Sequence, residues 1–376
     1  MLKRRLITNM PWGMVALIIG IALIGLSAVY SATYTQHGPS SLFTKQVIWV
    51  LIGIAVMFCA LLPDYHTVGR YAYVLYAVSV VALILVALIG RTGMGAQRWL
   101  PLGPFQFQPS ELAKLSLVLA LARYYAEDPR SGSYDLRDLA IPAVMVVIPL
   151  VLVLKQPDLG TALMLAFTAT LVTVLAGVRF RAVVAVAVIG ATVASLVFLV
   201  PPVRHKIWTS LKPYQQKRIK AFIDPASDPL GSGYHANQSK IAVGSGQTTG
   251  KGFRQGTQSQ MAFLPERHTD FIFAVIAEER GFIGSSLLVI LYVSLLLVGV
   301  EAAKSAKDKM GALMAAGIVS MLALYVCINI GMAVGIFPVV GVPLPLVSYG
   351  GTSIITTFLA IGLLLNIRSR RFMLFY

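Results

Sequence analysis

Residues 264–300 read LPERHTDFIFAVIAEERGFIGSSLLVILYVSLLLVGV. Ionisable residues crowd its first part, up to Asp270, and the thirty residues from 271 to 300 are mostly apolar. A membrane-spanning helix needs about 20 predominantly apolar residues, so this stretch predicts such a helix with an acid at its boundary. A carboxylate at the edge of hydrocarbon is costly to keep, which makes Asp270 a candidate for chemistry before it is one for stability.

Composition extends this interpretation to the whole chain. Of its 376 residues 57% are hydrophobic and only 12% are charged, more apolar than a water-soluble domain requires. We therefore predict an all-α integral membrane protein, a single polytopic domain over residues 1–376. Ten segments have the length and apolarity of spans, the fifth and sixth being short and joined by a tight turn: 12–31, 47–62, 71–89, 109–125, 140–154, 159–176, 182–201, 271–300, 311–337 and 344–367.

The orientation follows from the short loops. Fifteen Lys and Arg fall on the side of the two termini and five on the other side, and the cationic side of a membrane protein is cytoplasmic. The first apolar run is too long for a signal peptide and has no small-residue cleavage site after it, so it is expected to be a retained span. We predict a multi-pass protein of the bacterial cytoplasmic (inner) membrane with both termini cytoplasmic and Asp270 outside.

One long polar segment, residues 202–270, forms the predicted extracytoplasmic loop between helices 7 and 8. It contains ten Lys or Arg and four acidic residues, and this positive excess suits an anionic partner. Its first part, KIWTSLKPYQQKRIKAF at 206–222, fits a helix lying in the membrane interface and equally a solvated loop helix.

The next part of that segment, residues 231–260, is rich in Gly, Gln and Ser, so its backbone amides could approach phosphate oxygens closely. It is not a nucleotide-binding loop, because Gly250-Lys251 would need a glycine at position 245 and a Ser or Thr at 252, where the chain has Ser245 and Gly252. Any bond made outside the cell would therefore draw its driving force from an activated donor.

Two further acidic motifs fall on the same predicted side as Asp270. Glu111 stands three residues before Lys114, just after a proline that suits a first helical position, and the alternative to a substrate contact is a capped helix end with a local ion pair. Asp158 follows Lys155 in the turn KQPDLGT, where the alternative is a helix cap.

Around Asp270 the chain also carries Glu266, Arg267 and His268. Asp270 could simply cap the helix that follows, but ordinary capping does not require so many ionisable groups at one apolar boundary. Partial desolvation disfavours a charged carboxylate and raises its proton affinity toward that of a general base. The outer cations available to stabilise a leaving anion are Arg98, Lys114, Lys155, Lys251, Arg254 and Arg267. No pair of histidines has metal-ligand spacing, so no metal is predicted.

Residues 337–353, FPVVGVPLPLVSYGGTS, place three prolines between the last two predicted spans. Irregular backbone at membrane depth is tolerated where protein or a wet cavity covers it. The segment is therefore expected to line a substrate groove or to form a plain re-entrant connection.

Several long motifs in one order resemble the SEDS family of bacterial cell-wall proteins, over nearly the whole chain. They are GAQRWL with FQPSELAKL, KQPDLGTA, YQQKRIKAFIDP, GYHANQSKIAVGSG, GKGFRQGTQSQ, FLPERHTDFIFAVIAEERGFIG and PLPLVSYGGTS. Within the family the motifs LPERHTDF and KQPDLG and the loop SATYTQHGPSSLFTKQ resemble the cell-elongation and rod-shape members more than the division members.

The resemblance implies ten spans and a peptidoglycan glycosyltransferase. Its substrate would be lipid II, the undecaprenyl-pyrophosphate-linked disaccharide pentapeptide, polymerised on the outer face of the membrane with undecaprenyl pyrophosphate as leaving group. The essential acid of the family falls in HTDF, here Asp270, and Arg98, Glu111, Lys114 and Asp158 are expected as cavity or structural positions. Partners would be a class B penicillin-binding protein, a transpeptidase, and other elongation-complex membrane proteins. No nucleic acid and no required cofactor are expected, although a divalent cation stays open.

Two other function classes are compatible with the composition. A flippase of lipid-linked cell-wall precursor would place charged residues at mid-span along a path through the membrane, whereas the acids singled out above gather at one face. A non-catalytic scaffold would have no use for clustered outer carboxylates. Incubation of the purified chain with labelled lipid II distinguishes all three.

Overall fold

The computed structural model describes residues 10–34, 38–93, 96–102, 105–130, 133–179, 181–185, 201–210, 232–261, 263–264 and 266–371, together with residues 188, 192, 195 and 216. Helices make up most of these residues. In chain order they are α1 Trp12–Thr33, α2 Ser41–Cys59, α3 Tyr65–Arg70, α4 Ala72–Ile89, α5 Pro109–Glu127, α6 Ala140–Lys155, α7 Leu159–Leu175, α8 Pro201–Ser210, α9 Ser232–Ser245, α10 Thr257–Gln260, α11 Ile272–Lys304, α12 Lys309–Val334 and α13 Gly351–Ser369.

Seven of the described helical segments are long and apolar enough to cross a membrane by length and composition. They are α1, α2, α4, α6 with its preceding 3₁₀ turn Leu136–Leu139, α11, α12 and α13. Helix α7 is apolar but shorter, and α5 carries charged residues in its first turns. The exact number of crossings stays a prediction. The seventh of the ten predicted spans, 182–201, lies largely outside the described residues.

The core of the bundle is formed by α5, α12 and α13, whose side chains are mostly buried. Helix α12 packs against α5, α7 and α11, while α13 packs against α2 and α1 packs against α11. Large apolar side chains stay exposed along α4, α6 and α11, for example Leu88, Val144 and Phe282. Such an exposed apolar surface is what a helix presents to lipid.

A small antiparallel sheet, absent from the all-α prediction, lies between α4 and α5. Its strands are β1 Arg91–Gly93, β2 Ala96–Leu102 and β3 Phe105–Phe107, with β2 in the middle. Strands this short give little periodic signal in a sequence, which is why the pattern did not reveal them. The last strand ends at Phe107, and the next residue, Gln108, is the N-cap of α5.

Helix α11 is broken near its start. Gly281 has φ 63° and ψ −163°, a conformation open to glycine, and it separates a short buried helix from the long apolar one. The freed backbone groups are bonded by the segment 247–252: Lys251 N donates to Glu278 O at 3.0 Å and Phe282 N donates to Gln247 O at 2.8 Å. Broken helices at membrane depth are tolerated only with such partners.

The glycine-rich segment differs from the open phosphate-binding loop that its composition suggested. Residues Ser232–Ser245 form α9, so their amides are bonded within a helix. The amides of Gly250, Lys251 and Gly252 donate to the carbonyls of Gly246, Glu278 and Glu279. Those amides are bonded to the protein itself and not open to a phosphate.

The last helix begins later than the sequence indicated, at Gly351 and not at residue 344. Pro343 and Pro345 have no N–H to donate and hold the preceding residues extended, and Leu346 has a left-handed φ of 64°. The irregular connection predicted between the last two spans is therefore longer, and it passes beside Asp270 at Gly341.

Candidate active site

Asp270 lies half-buried immediately before α11. The helix begins at Ile272 and its N-cap is Phe271, so Asp270 stands one residue outside the capping position. Asp270 is therefore not the N-cap of the helix that follows it, which was the alternative left open by the sequence.

The main chain around Asp270 is fixed by three successive carbonyls. His268 O accepts from Tyr349 N at 2.8 Å, Thr269 O accepts from Ser348 Oγ at 2.6 Å, and Asp270 O accepts from Asn329 Nδ2 at 2.9 Å. These donors come from α12 and from the irregular connection after it. Asp270 is thus fixed to a part of the chain that is distant in sequence.

The irregular connection also lies against the Asp270 carboxylate. Gly341 has φ 74°, and a Cβ placed on it would be 3.3 Å from Asp270 Oδ2. This contact supports the groove-lining role of residues 337–353 over a plain re-entrant connection, because the connection forms one wall of the site.

The three ionisable neighbours in the motif occupy the same turn. Glu266 has a left-handed φ of 52°, and its Oε2 accepts from Thr269 Oγ1 at 3.1 Å. Burial lowers the pKa of His268 below its ordinary value although the charge of Glu266 acts in the opposite direction, so burial favours the neutral imidazole. Its ring lies 5.6 Å from that of Tyr349, between centroids.

Arg267 is a half-buried cation with an unused donor. Burial lowers the pKa of its guanidinium, and Nη1 is buried without a hydrogen bond to any residue that the structure describes. Arginine stays charged in proteins, so this shift reports the cost of desolvating the cation. An anion bound beside Nη1 would offset that cost.

Helices α5 and α12 share a buried polar trio. Lys114 Nζ lies 2.7 Å from Glu111 Oε1, and Tyr325 of α12 donates to Glu111 Oε2 at 2.7 Å and also contacts Lys114 Nζ. All three side chains are buried, which confirms the local ion pair expected from the spacing of Glu111 and Lys114. Tyr325 precedes Asn329 by four residues, so the trio lies about 6 Å along α12 from the residue that bonds Asp270 O.

Arg98 and Asp158 form a second buried contact. Arg98 Nε lies 3.6 Å from Asp158 Oδ2, and Arg98 also donates to Pro157 O. Asp158 caps α7 by accepting from Thr161 N at 3.2 Å, as its position in the turn predicted. Lys155, in contrast, is exposed at the end of α6.

Lys251 and Arg254 lie in a separate cluster around the break in α11. Lys251 Nζ is 2.9 Å from Glu278 Oε1, a fully buried carboxylate that also accepts from Gln258 N and Ser259 N. Arg254 lies over the ring of Tyr34 at 3.4 Å. Glu278 is eight residues after Asp270, about 12 Å along the helix axis.

Three residues that build the site were not among the positions predicted from the sequence: Tyr325, Asn329 and Ser348. Asn329 is the clearest omission, because a lone amide inside the apolar helix α12 has to find buried partners. Within the described residues no group of three or more His, Cys, Asp or Glu could hold a metal ion.

Fold and site together define a polytopic membrane protein with a half-buried carboxylate, Asp270, at one end of its helix bundle. Residues 8–372 match the family model FTSW_RODA_SPOVE, described as "Cell cycle protein". The chain belongs to this family, and the SEDS resemblance seen in its motifs is confirmed.

Two named relatives show the range of the family. The chain is 42% identical to "Peptidoglycan glycosyltransferase MrdB" of Escherichia coli (strain K12) over 95% of its length and 94% of the relative. It is 35% identical to "Probable peptidoglycan glycosyltransferase FtsW" of Geobacter metallireducens over 96% of its length and 95% of the relative. The chain is accordingly an enzyme of the glycosyltransferase class.

Two solved structures share the fold. One is described as "Structural coordination of polymerization and crosslinking by a peptidoglycan synthase complex"; it is 34% identical, with a TM-score of 0.80 over 96% of this chain and 98% of that one. The other is "Rod shape determining protein RodA" of Thermus thermophilus, 30% identical, with a TM-score of 0.70 over 97% of this chain and 98% of that one. The multi-pass membrane fold is thereby established.

Proposed function

We propose that this chain polymerises lipid II into glycan strands, with Asp270 as general base. The observation that carries the proposal is the half-buried Asp270 carboxylate beside the irregular connection, on a turn whose three successive carbonyls accept hydrogen bonds from Tyr349, Ser348 and Asn329. A general base must hold its position to within hydrogen-bond reach of the proton it removes. The peptidoglycan glycosyltransferase names of the relatives support the reaction class.

The proposed step forms one glycosidic bond. Asp270 takes the proton of the 4-hydroxyl of the acceptor N-acetylglucosamine, whose oxygen attacks the anomeric carbon of the donor muramyl sugar. The bond from that carbon to the phosphate oxygen breaks, and its electron pair leaves with undecaprenyl pyrophosphate. The donor carries its own leaving group, so no nucleotide is consumed.

The leaving pyrophosphate requires cations. Arg267 is the first choice, since its buried Nη1 has no hydrogen-bond acceptor among the described residues and could donate to a phosphate oxygen. Arg98 Nε is likewise buried without a hydrogen-bond partner among the described residues. Lys155 adds an exposed cation. Substrate contacts of Lys251 and Arg254, and of Glu111, Lys114, Asp158, Glu266 and His268, stay predictions that no bound molecule tests.

The proposed topology has ten spans in the bacterial inner membrane, both termini cytoplasmic, and residues 202–270 as the extracytoplasmic loop between helices 7 and 8 of a single domain. Helices overlap nine of the ten predicted segments over most of their length. At the end of the bundle opposite Asp270, Arg370 just after α13 lies 3.2 Å from Asp64. The cationic loops of that end face the cytoplasm under this proposal.

We further propose that the chain acts in cell elongation, as RodA does, and not in division, as FtsW does. The identity to MrdB, 42%, exceeds the 35% to an FtsW relative, and the motif LPERHTDF points the same way. The partner would be a class B penicillin-binding protein with other elongation proteins. The solved synthase complex, which couples polymerisation and crosslinking, supports that partner.

The alternative function is a flippase of the lipid-linked precursor, and one observation favours it. Glu278 and Glu279 are buried within α11, where a transport path would need polar groups. Both carboxylates have partners within the protein: Glu278 pairs with Lys251, and Glu279 accepts a hydrogen bond from Ser31. This arrangement favours a structural role over a path.

The decisive experiment compares Asp270→Asn with wild type on labelled lipid II. The variant keeps the size of the side chain and removes the base, so glycan formation by the purified chain, assayed with its transpeptidase partner present, should fall by about 10²- to 10⁴-fold. Glu301→Gln, at an exposed carboxylate on the other end of α11, is the control and should polymerise like wild type. Undiminished polymerisation by Asp270→Asn would overturn the base assignment, and lipid II translocation in vesicles without glycan would favour the flippase.

A further inference from the structure

Asn329 is an amide buried in the apolar helix α12, with none of its surface exposed. Its Nδ2 donates to Asp270 O at 2.9 Å and to Val342 O at 2.7 Å. Carbonyls only accept hydrogen bonds, so the two partners fix the orientation of the amide. The Oδ1 atom is left buried without a partner among the described residues, which costs free energy because a buried acceptor loses its bonds to water.

The amide joins two walls of the site. One bond holds the main chain of Asp270, and the other holds Val342, the neighbour of the Gly341 that lies against the Asp270 carboxylate. A single side chain therefore bonds both the turn that carries the carboxylate and the connection that faces it.

Ser348 supports the same junction from the connection itself. Its Oγ donates to Thr269 O at 2.6 Å and accepts from Leu344 N at 2.8 Å. Buried Gln46 of α2 donates to Ser348 O at 3.1 Å and accepts from Gly350 N at 3.3 Å. The connection is thus anchored to α2 on one side and to the Asp270 turn on the other.

We propose that Asn329 is a positioning residue for the glycosyl transfer, acting through the main chain of Asp270, with Ser348 in support. The inference rests on the proposed function of Asp270 as base. Its physical basis is that misplacing a reacting group by about 1 Å costs on the order of 10²-fold in rate.

The chain contains a matched control for this amide. Asn366 of α13 is also fully buried, its Nδ2 donates to Ala60 O at 2.7 Å and to Pro63 O at 2.6 Å, and its Oδ1 is buried without a partner among the described residues. It lies at the opposite end of the bundle from Asp270. There the amide joins α13 to the residues that follow α2.

The experiment replaces each amide by leucine, which keeps the volume and removes the donors. Asn329→Leu should lower kcat by about 10²-fold with a small change in KM, whereas Asn366→Leu should keep kcat within about threefold of wild type. The two variants should lose similar thermal stability in detergent, because each loses the same two hydrogen-bond donors. The double variant Asp270→Asn/Asn329→Leu should be no slower than Asp270→Asn alone, because residues that act as one unit are not additive. If Asn329→Leu does not fold, Ser348→Ala removes one hydroxyl and should lower kcat in the same way.

Three outcomes would overturn the inference. The first is a kcat near wild type for Asn329→Leu, or for Ser348→Ala in its place, and the second is an equal loss of kcat in the two leucine variants. The third is a double variant slower than Asp270→Asn by the full factor that Asn329→Leu shows alone. An inactive Asp270→Asn with an active Asn329→Leu rejects the positioning role alone. A fully active Asp270→Asn rejects the proposed base and this inference with it.

Discussion

At the scale of single residues, the position of Asp270 is set by groups far from it in sequence. Asn329 and Ser348 bond the backbone at and before Asp270, and Gly341 allows the connection to approach its carboxylate. Each of these contacts depends on a small or precisely placed group. Substitution of Asn329, Ser348 or Gly341 should therefore slow the reaction by more than the loss of folding stability alone would explain.

Gly341→Ala tests the close approach. The added methyl would lie 3.3 Å from Asp270 Oδ2, tighter than ordinary contact, and the φ of 74° is strained for alanine. We expect kcat to fall, by less than the roughly 10²-fold cost of a 1 Å displacement. Steady-state polymerisation of labelled lipid II measures it.

The control for that variant is Gly38→Ala. Gly38 also has a positive φ, 107°, but a Cβ there would meet no atom of the described residues within 4 Å, so the substitution adds strain without a contact to them. It should cost about 1–2 kcal/mol of stability and leave kcat unchanged. Equal kcat for the two alanine variants would contradict the contact.

At the scale of elements, the break in α11 is the least ordinary feature. A helix interrupted at Gly281 exposes backbone groups that the segment 247–252 bonds, and Glu278 receives Lys251 and two amides at the start of α10. The carboxylate therefore holds the polar segment before Asp270 against the bundle. Its burial makes it sensitive to small chemical changes.

Glu278→Gln tests this element. Glutamine removes the charge, and its NH2 group would face the Lys251 ammonium or the backbone N–H groups of Gln258 and Ser259, which can only donate. The unfolding free energy should therefore fall by about 3 kcal/mol. Glu301→Gln on the same helix removes ion pairs to Arg368 and Arg371 from a carboxylate whose side chain is 55% exposed and should cost no more than about 1 kcal/mol. Thermal unfolding in detergent compares them, and equal small losses would count against the anchoring role of Glu278.

At the scale of the whole molecule, the bundle has two chemically different ends. The end opposite Asp270 holds Arg370 near Asp64 and a hydrogen bond from Tyr65 to Asp308. Burial acts against ionisation of Asp64, but bonds from His66 and the charge of Arg370 outweigh it and lower the pKa of that carboxyl. The Asp270 end carries the candidate site.

Impermeant thiol labelling in spheroplasts tests which end is outside. Cys59 and Cys327 are first replaced by alanine, since both are exposed on helices. Phe263→Cys, exposed near Asp270, should react in intact cells, whereas Lys307→Cys should react only after permeabilisation. The reverse pattern would invert the topology and remove the proposed access of Asp270 to lipid II.

Local sequence was enough for features whose causes are local. Apolar runs of spanning length predicted most helices, the three-residue spacing predicted the Glu111–Lys114 pair, and the turn before α7 predicted the Asp158 cap. The family motifs likewise singled out Asp270. In each case the physical reason acts over one or two helical turns, or over the thickness of the membrane.

Only the tertiary structure decided which groups surround Asp270. Asn329 lies 59 residues from Asp270, and Tyr325 lies 214 residues from Glu111, so no periodicity links them. The same holds for the break in α11, whose backbone groups are bonded by a segment about 30 residues earlier. Hydrophobic pattern sets which segments enter the membrane, but the pairing of buried polar groups depends on which helices pack together.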